Sequence, residues 1–474
     1  MTASAATPVD LTAPQRVHLV GIGGAGMSAI ASVLAGMGHA VAGSDLKDSP
    51  GLDRLRSAGI EVLIGHDAAH LGDVDLVAKS TAIPERNPEI IAARDRGIPV
   101  LSRSDLMTAI TACKRTVAVG GTHGKTTTSS MLALVLREAG LDPSFIIGGE
   151  VNEIGTGAAW RDEDLFVVEA DESDGTFVEL VRDGVIVTNL EPDHLETYGG
   201  FAELQAAFDR FVADAPGPRV VCVDDPDSAA LAARHDVLTY GTAPSARYQI
   251  RNVDSHREGV AFDLVDTAGD AELGSISLAV PGVYNARNAT AAVVTALAYG
   301  APFDAAQRAL ARYAGVARRF EARGEAGGVT FIDDYAHLPT EVREVLRAGR
   351  SGAWDRVVCV FQPHRYSRTE QVGRDFGDAF GDADLVVITD IYAAGEAPRP
   401  GVSGKTIVDA VLDHAPGTAV AYLPHRADLV AYLSDRLRPG DLCLTLGAGD
   451  LTTVPDTVRD ALGAAAASLV TAAN

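Results

Sequence analysis

The stretch of this chain best suited to chemistry is Gly121-Thr122-His123-Gly124-Lys125-Thr126-Thr127. It follows the apolar run Thr116-Val117-Ala118-Val119 and precedes a segment of helical character over 129–139. In a strand, glycine loop, helix order, free backbone N–H groups and the positive end of the helix dipole converge on an anion. Lys125 is placed to reach the β/γ-phosphates, and the Thr126 hydroxyl to ligate Mg²⁺. The loop departs from the usual pattern at one position. The first glycine would fall on Val119, and glycines stand at 120 and 121 instead. A plain glycine-rich turn with an exposed lysine would need neither the strand nor the Gly-Lys-Thr triplet, so the stretch predicts binding of a nucleoside triphosphate.

Two further strand ends in the middle of the chain carry polar clusters. Asp164-Leu165-Phe166-Val167-Val168-Glu169 runs into Ala170-Asp171-Glu172-Ser173-Asp174, and Val185 to Leu190 runs into Glu191-Pro192-Asp193-His194. Strand ends of a parallel sheet share one rim. Mg²⁺ is a hard ion held by few carboxylates plus phosphate oxygens, which makes Glu169 the leading metal candidate. Asp171 or Asp174 fits better as a helix cap. His194 sits among acids, where a neutral imidazole can ligate a second cation.

A second glycine turn, Gly21-Ile22-Gly23-Gly24-Ala25-Gly26, lies between the run Val17-His18-Leu19-Val20 and a helix over 27–37. Asp45 follows the next strand-like run, and Ser80 opens another strand-end turn. Glycines that let a diphosphate approach, with an acid about 20 residues on for a ribose hydroxyl, suit a phosphorylated, ribose-bearing ligand. In the last third, Asp334-Tyr335-Ala336-His337 and Gln362-Pro363-His364-Arg365-Tyr366-Ser367-Arg368 each follow a strand-like run and precede a helix. Arg365 and Arg368 offer bidentate forks to carboxylate or phosphate. Positive charge at a helix start opposes the dipole, which argues for an anionic ligand there. Gly404-Lys405-Thr406 repeats the phosphate-loop triplet with no strand close before it and reads as coincidence.

The elements that must position these groups alternate strand and helix along most of the chain, with a shift over 248–280 to short alternating segments that suggests a small antiparallel sheet. At 474 residues the chain exceeds one core. The expected architecture is α/β in three domains. These are a Rossmann-like domain at 16–112, a central domain at 113–317 with a P-loop ATPase-type parallel sheet and the small antiparallel sheet, and a Rossmann-like domain at 318–474. Residues 1–15, with no basic start and no apolar core, read as a disordered leader rather than a secretory signal. The net charge of −24 repels nucleic acid and anionic membranes. No run approaches the roughly 20 apolar residues that span a bilayer. Four cysteines at 113, 222, 359 and 443, without a CxxC pair, read as free thiols in a reducing cytosol.

Taken together and in order, the motifs resemble the Mur ligase family. They are GIGGAGMS at 21–28, GTHGKTTT at 121–128, EADESDGTF at 169–177, TNLEPDHLETY at 188–198, PGVYNARNATAA at 281–292, RRFE at 318–321, DDYAHLPTE at 333–341, FQPHRYSRT at 361–369, DIYAAGE at 390–396 and GAGD at 447–450. The resemblance implies a cytoplasmic enzyme, a monomer or weak homodimer, that uses ATP and Mg²⁺ to join L-alanine to the lactyl carboxylate of UDP-N-acetylmuramate through an acyl phosphate. The alternative it leaves open is recycling of a whole tripeptide onto the same acceptor. It implies that Gly121, Thr122, His123, Gly124, Lys125, Thr126 and Thr127 cradle ATP, with Asn288 at the adenine and Arg319 and Asp334 also on ATP. Thr126, Glu169 and His194 would hold Mg²⁺. Gly21, Gly23, Gly24, Gly26, Asp45 and Ser80 would hold the UDP-sugar rather than NAD. Lys125, His337, Arg365 and Arg368 would be catalytic. The chain departs from the family at Tyr284, where histidine is usual, and at Gly157-Ala158, where an Asn-Ala pair is usual. It also has no lysine between 126 and 404, which rules out the carbamoylated lysine of the members that add later residues.

Overall fold

The computed structural model describes residues 9–269 and 271–472. Three sheets organise an α/β chain. The first is five-stranded and parallel throughout, in the order Glu61–Ile64, Ala40–Asp45, Arg16–Val20, Leu76–Lys79, Val100–Ser102. The chain winds outward from Arg16–Val20 in one direction, then returns to that strand's other side. The turns leaving Arg16–Val20 and Leu76–Lys79 therefore flank the point where the winding reverses, which is where such sheets bind ligands. Ser80 N donates to Val20 O at 3.0 Å, bringing Ser80 against the Gly21 turn.

The second sheet has ten strands, in the order Ala271–Leu278, Gly259–Asp266, Tyr248–His256, Leu238–Gly241, Arg219–Cys222, Gly184–Val187, Arg115–Gly120, Leu165–Glu169, Ser144–Val151, Thr156–Ala159. The strands over 248–280 are its last three at one edge. They extend the sheet through parallel pairing of Tyr240 with Tyr248 and Gly241 with Gln249. A firmly antiparallel pair lies at the opposite edge, Ser144–Val151 against Thr156–Ala159. There a Cβ on Gly157 would stand 2.5 Å from the Gly149 carbonyl oxygen, so only glycine fits that hairpin. Arg115–Gly120 is flanked by Leu165–Glu169 and Gly184–Val187, and this order places the phosphate-loop stretch between the two acidic strand ends. Phe177, Phe208 and Phe211, all fully buried, pack together at centroid distances of 4.9, 5.0 and 6.2 Å, and a Cβ on Gly120 would lie 3.1 Å from the Phe211 ring.

The third sheet runs Glu321–Ala326, Val329–Asp334, Asp441–Leu446, Arg356–Phe361, Leu385–Ile388, Val420–Tyr422, antiparallel only in its first pair. The chain divides into two compact units, Met1–Arg251 with Asp263–Ile276 and Arg287–Arg312, and Asn252–Phe262 with Ser277–Ala286 and Tyr313–Asn474. Within the first, segments 16–112 and 113–250 share one core, which runs from Ile30 and Leu34 to Ala158 and Phe166. Residues 1–8 of the expected leader lie outside the described residues. Beyond them the leader is anchored at two points: Leu11 is buried in that core, and Gln15 N donates to His39 Nδ1 at 3.0 Å. Among the described residues no helix is long and apolar enough to cross a membrane. The four cysteines are free, with 222, 359 and 443 buried.

Candidate active site

The helix after the phosphate-loop stretch spans Lys125–Glu138, starting four residues earlier than its apolar pattern suggests. Thr126, Thr127 and Thr128 are buried in its first turn, and burial overrides the weak helix preference of threonine. Gly124 caps it at φ +77°. Gly121 sits at φ +128°, where a Cβ would run into the Thr188 hydroxyl and lie 3.0 Å from the Thr188 amide. The Thr126 hydroxyl donates to Glu169 Oε1 at 3.1 Å, while Glu169 Oε2 accepts from Gly148 N at 2.8 Å. A hydroxyl and a carboxylate converging beside a helix N-terminus form the hard oxygen set that Mg²⁺ takes. His123 N donates to Asn189 Oδ1 at 2.9 Å, and its ring pairs with Glu191 at 3.1 Å. Thr122 Oγ1 accepts from Glu191 N at 2.9 Å. His194, at φ +53°, precedes the single turn Leu195–Tyr198 and pairs with Asp193 at 3.3 Å. Asn288 Oδ1 accepts from Thr128 Oγ1 at 3.3 Å, behind the loop.

Lys125 has a partner that the motif did not point to. Its Nζ lies 2.8 Å from Glu172 Oε2 and donates to Gly121 O at 2.6 Å and Thr122 O at 3.2 Å. Burial alone would lower the Lys125 pKa, but Glu172, Asp171 and Glu169 outweigh it, and the ammonium is held above its ordinary value. Burial pushes Glu172 up to about 7 even against that cation. The lysine therefore stays charged, and Glu172 is the member of the pair that titrates near neutrality. Asp171 accepts from Ser173 N at 3.0 Å, the cap expected of it, and Asp174 pairs with Arg103 at 3.0 Å.

The first sheet's crevice is a cavity of about 570 Å³ lined by Gly21, Gly24, Asp45, His66, Ser80 and Asn87, among others. Ser44 O accepts from Gly21 N and Ile22 N at 2.8 and 3.0 Å, and Asp45 Oδ2 accepts from Gly23 N at 2.8 Å. Gly23 is held by that carboxylate, since a Cβ there would stand 2.8 Å from it. Gly24 differs: a Cβ would meet nothing nearer than Gly21 O at 3.7 Å, so its open side faces whatever occupies the crevice. Gly26 is beside Arg103, whose Nη1 would lie 3.5 Å from an added Cβ. Arg103 opens the helix Arg103–Thr111, and its only sequence signal was a basic residue after a short strand.

In the second unit, His337, Arg365 and Arg368 come together around His364. The His337 and His364 rings are 5.8 Å apart, Arg368 Nη1 donates to His364 Nδ1 at 3.1 Å, and His364 stacks on Tyr392 at 5.7 Å. Burial first, then His337, Arg368 and Arg365, press the His364 pKa down to about 3, so the ring is neutral. The helix start Tyr366–Val372 already has an anion: Glu396 accepts from Ser367 N at 2.9 Å and Oγ at 2.5 Å. Part of the positive charge at this helix start is therefore answered within the protein by Glu396. Arg365, at φ +69°, remains in a sparsely populated conformation of the kind found at functional sites. Asp334 accepts from Phe320 N and Ala336 N at 2.7 Å each, and burial, opposed by Arg319, raises it to about 6. Lys405 does begin a helix, but there Asp390 Oδ1 accepts from Gly404 N at 3.0 Å and Ser403 Oγ from Lys405 N at 3.3 Å, so these amides are already paired.

The fold is that of a three-sheet α/β ligase, and the chain belongs to the Mur ligase family. The Mur ligase family catalytic domain matches residues 16–115, the Mur ligase middle domain 119–296, and the Mur ligase glutamate ligase domain 318–449. Among relatives, the chain is 47% identical over 442 residues to the UDP-N-acetylmuramate–L-alanine ligase of Pelotomaculum thermopropionicum, covering 92% of this chain and 95% of that one. It is 48% identical over 458 residues to the enzyme of that name from Kineococcus radiotolerans, covering 94% and 96%. The crystal structure of UDP-N-acetylmuramate-alanine ligase from Thermotoga maritima superposes with a TM-score of 0.78 at 28% identity, covering 95% of this chain and all of that one.

Proposed function

We propose that the chain is an ATP-dependent, amide-forming ligase that joins L-alanine to the lactyl carboxylate of UDP-N-acetylmuramate, the first stem-peptide step of peptidoglycan synthesis. The observation that carries the chemistry is the glycine loop with Lys125 and the Thr126–Glu169 pair at one sheet rim. The high-coverage relatives named for alanine addition carry the substrates. Eight relatives at 43–48% identity all bear the name for alanine addition, which favours it over tripeptide recycling.

A carboxylate acylates poorly, and phosphorylation supplies a leaving group. The lactyl carboxylate oxygen attacks the γ-phosphorus of ATP, the bond to the β-γ bridging oxygen breaks, and ADP leaves. The alanine amine then attacks the acyl carbon, loses a proton, and the tetrahedral intermediate expels phosphate. Catalysis here is positioning and charge neutralisation. Loop amides and Lys125 hold the β/γ-phosphates, which requires Lys125 to exchange Glu172 for phosphate. Thr126 and Glu169 are the oxygens suited to Mg²⁺, with His194 as a further ligand in this assignment; the ion would neutralise phosphate charge. Segment 16–112 is assigned to the UDP-sugar, 113–317 to ATP, with Asn288 at the adenine, and 318–474 to the amino acid, with His337, Arg365 and Arg368 at the carboxylates; Arg319 and Asp334 are assigned as ATP ligands.

Phosphate release from ATP should require both UDP-N-acetylmuramate and L-alanine. Release with ATP alone would mark an ATPase, and release with tripeptide but not alanine would mark recycling. Gly24→Val should fold normally, because nothing in the protein crowds its side. It should block close approach of the diphosphate and weaken UDP-N-acetylmuramate binding by roughly 10²-fold in calorimetry. Unchanged affinity would move the UDP-sugar away from this crevice.

A further inference from the structure

Beneath the wall of the first-domain cavity lies a fully buried carboxylate, Glu89, that none of the assigned roles uses. Four elements converge on it. His18 Nε2, from Arg16–Val20, is 2.6 Å from Oε2. Ser44 Oγ, near the end of Ala40–Asp45, donates to Oε1 and Oε2 at 2.9 and 2.8 Å. His66 Nδ1 is 2.9 Å from Oε1, and His70 Nδ1, in the short helix Ala68–Leu71, stands off at 4.0 Å. Asn87 Oδ1 accepts from the Glu89 amide at 2.9 Å. Burial alone would raise this carboxyl, but His18, Ser44 and His66 outweigh it and hold it below its ordinary value.

The network reaches the cavity by three routes. His66 and Asn87 line it, and the Ser44 carbonyl anchors the Gly21 turn. Buried charge is a poor source of stability, since apolar residues of similar volume serve as well or better. What an ionised carboxylate does provide is an acceptor with no proton of its own. His66 Nδ1 also lies 3.1 Å from Ser44 Oγ, but that hydroxyl gives its proton to Glu89, so against the carboxylate His66 Nδ1 carries the hydrogen. The His66 side chain is 16% exposed and lines the cavity, and Nε2 is its remaining polar atom. In the neutral ring, Nε2 is then an acceptor.

We propose that Glu89 is a positioning residue of the nucleotide-sugar site. By fixing the His66 tautomer, it makes the cavity select a ligand that offers a hydrogen-bond donor, either a ribose O–H or a base N–H. This rests on the cavity being the UDP-sugar site. An amide at 89 keeps only one acceptor oxygen, so it cannot hold both His18 Nε2 and His66 Nδ1 as donors, and the His66 tautomer is no longer fixed.

Steady-state kinetics on the full-length enzyme tests this with Glu89→Gln, His66→Phe and the double variant. Each single variant should raise KM for UDP-N-acetylmuramate about 10-fold, the effect of leaving one buried polar group unpaired, with kcat and the KM for ATP unchanged. The double variant should be no worse than His66→Phe. In calorimetry, either 2′-deoxy-UDP or N3-methyl-UDP should bind the wild type more weakly than UDP, and the difference should vanish in His66→Phe. A KM within twofold of wild type for Glu89→Gln, additive effects in the double variant, or equal wild-type affinity for all three nucleotides would overturn the proposal. If Glu89→Gln does not fold, His66→Phe with the nucleotide series decides, because Glu89 keeps His18 and Ser44 there. Gly24→Val separates the two levels: if it leaves UDP binding intact, the cavity assignment fails. If it abolishes binding while Glu89→Gln and the nucleotide series show nothing, only the role of Glu89 fails.

Discussion

Lys125→Ala is expected to lower kcat by about 10²-fold or more, because it removes the cation on the transferring phosphoryl group. Phosphate release under saturating substrates measures it, and a variant keeping more than about a tenth of the wild-type rate would remove Lys125 from the ATP site. The structure adds a second consequence. Without Lys125, Glu172 is a buried carboxylate with no cation, and breaking such a pair costs roughly 3–5 kcal/mol while the remaining charge persists. Glu172 already lies at about 7 with its partner present, raised by burial, and losing the partner raises it further. A carboxyl raised in the fold contributes stability below its unfolded value and loses it as pH climbs through the folded value. The unfolding midpoint of Lys125→Ala should therefore approach wild type near pH 6 and fall away from it above pH 8. Adding Glu172→Gln should restore stability at high pH without restoring rate. If the double variant is as unstable at high pH as the single, Glu172 is not the group responsible.

Gly121→Ala should damage both stability and activity. Its φ of +128° lies where a Cβ is strained, and the added atom collides with the Thr188 hydroxyl. That hydroxyl also donates to His123 O at 2.5 Å, so it has no free direction in which to yield. Strain of this kind with a displaced hydrogen bond costs roughly 2–4 kcal/mol, readable in urea unfolding. Relief by shifting the loop about 1 Å would carry the phosphate-binding amides off target, at a cost near 10²-fold in rate. Wild-type urea midpoint and kcat in this variant would show that the loop tolerates a side chain and that its geometry is not set by Gly121.

The residues with a role dictated by local chemistry were legible in the sequence. Apolar runs bounded by Gly, Asp or Pro marked strands such as Arg115–Gly120, Val329–Asp334 and Arg356–Phe361 within about a residue, because buried parallel strands leave a continuous pattern. The glycine turns at 21–26 and 121–124 were legible because Gly21, Gly23, Gly121 and Gly124 sit where a Cβ would be strained or crowded. The motifs in order also identified the family. What only the tertiary structure decided is which strand ends meet and what each polar group pairs with. The strands over 248–280 have an alternating pattern compatible with a separate sheet or with an extension of the large one, and edge pairing at Tyr240 and Tyr248 settled it. Glu172 on Lys125, Glu396 on Ser367, and His18 and His66 on Glu89 join residues 47, 29, 71 and 23 positions apart. Such pairs form because strand order brings distant segments side by side, and a carboxylate removed from water must take whatever donor that order supplies. Hydrophobic period and turn chemistry act over a few residues and carry no record of those neighbours.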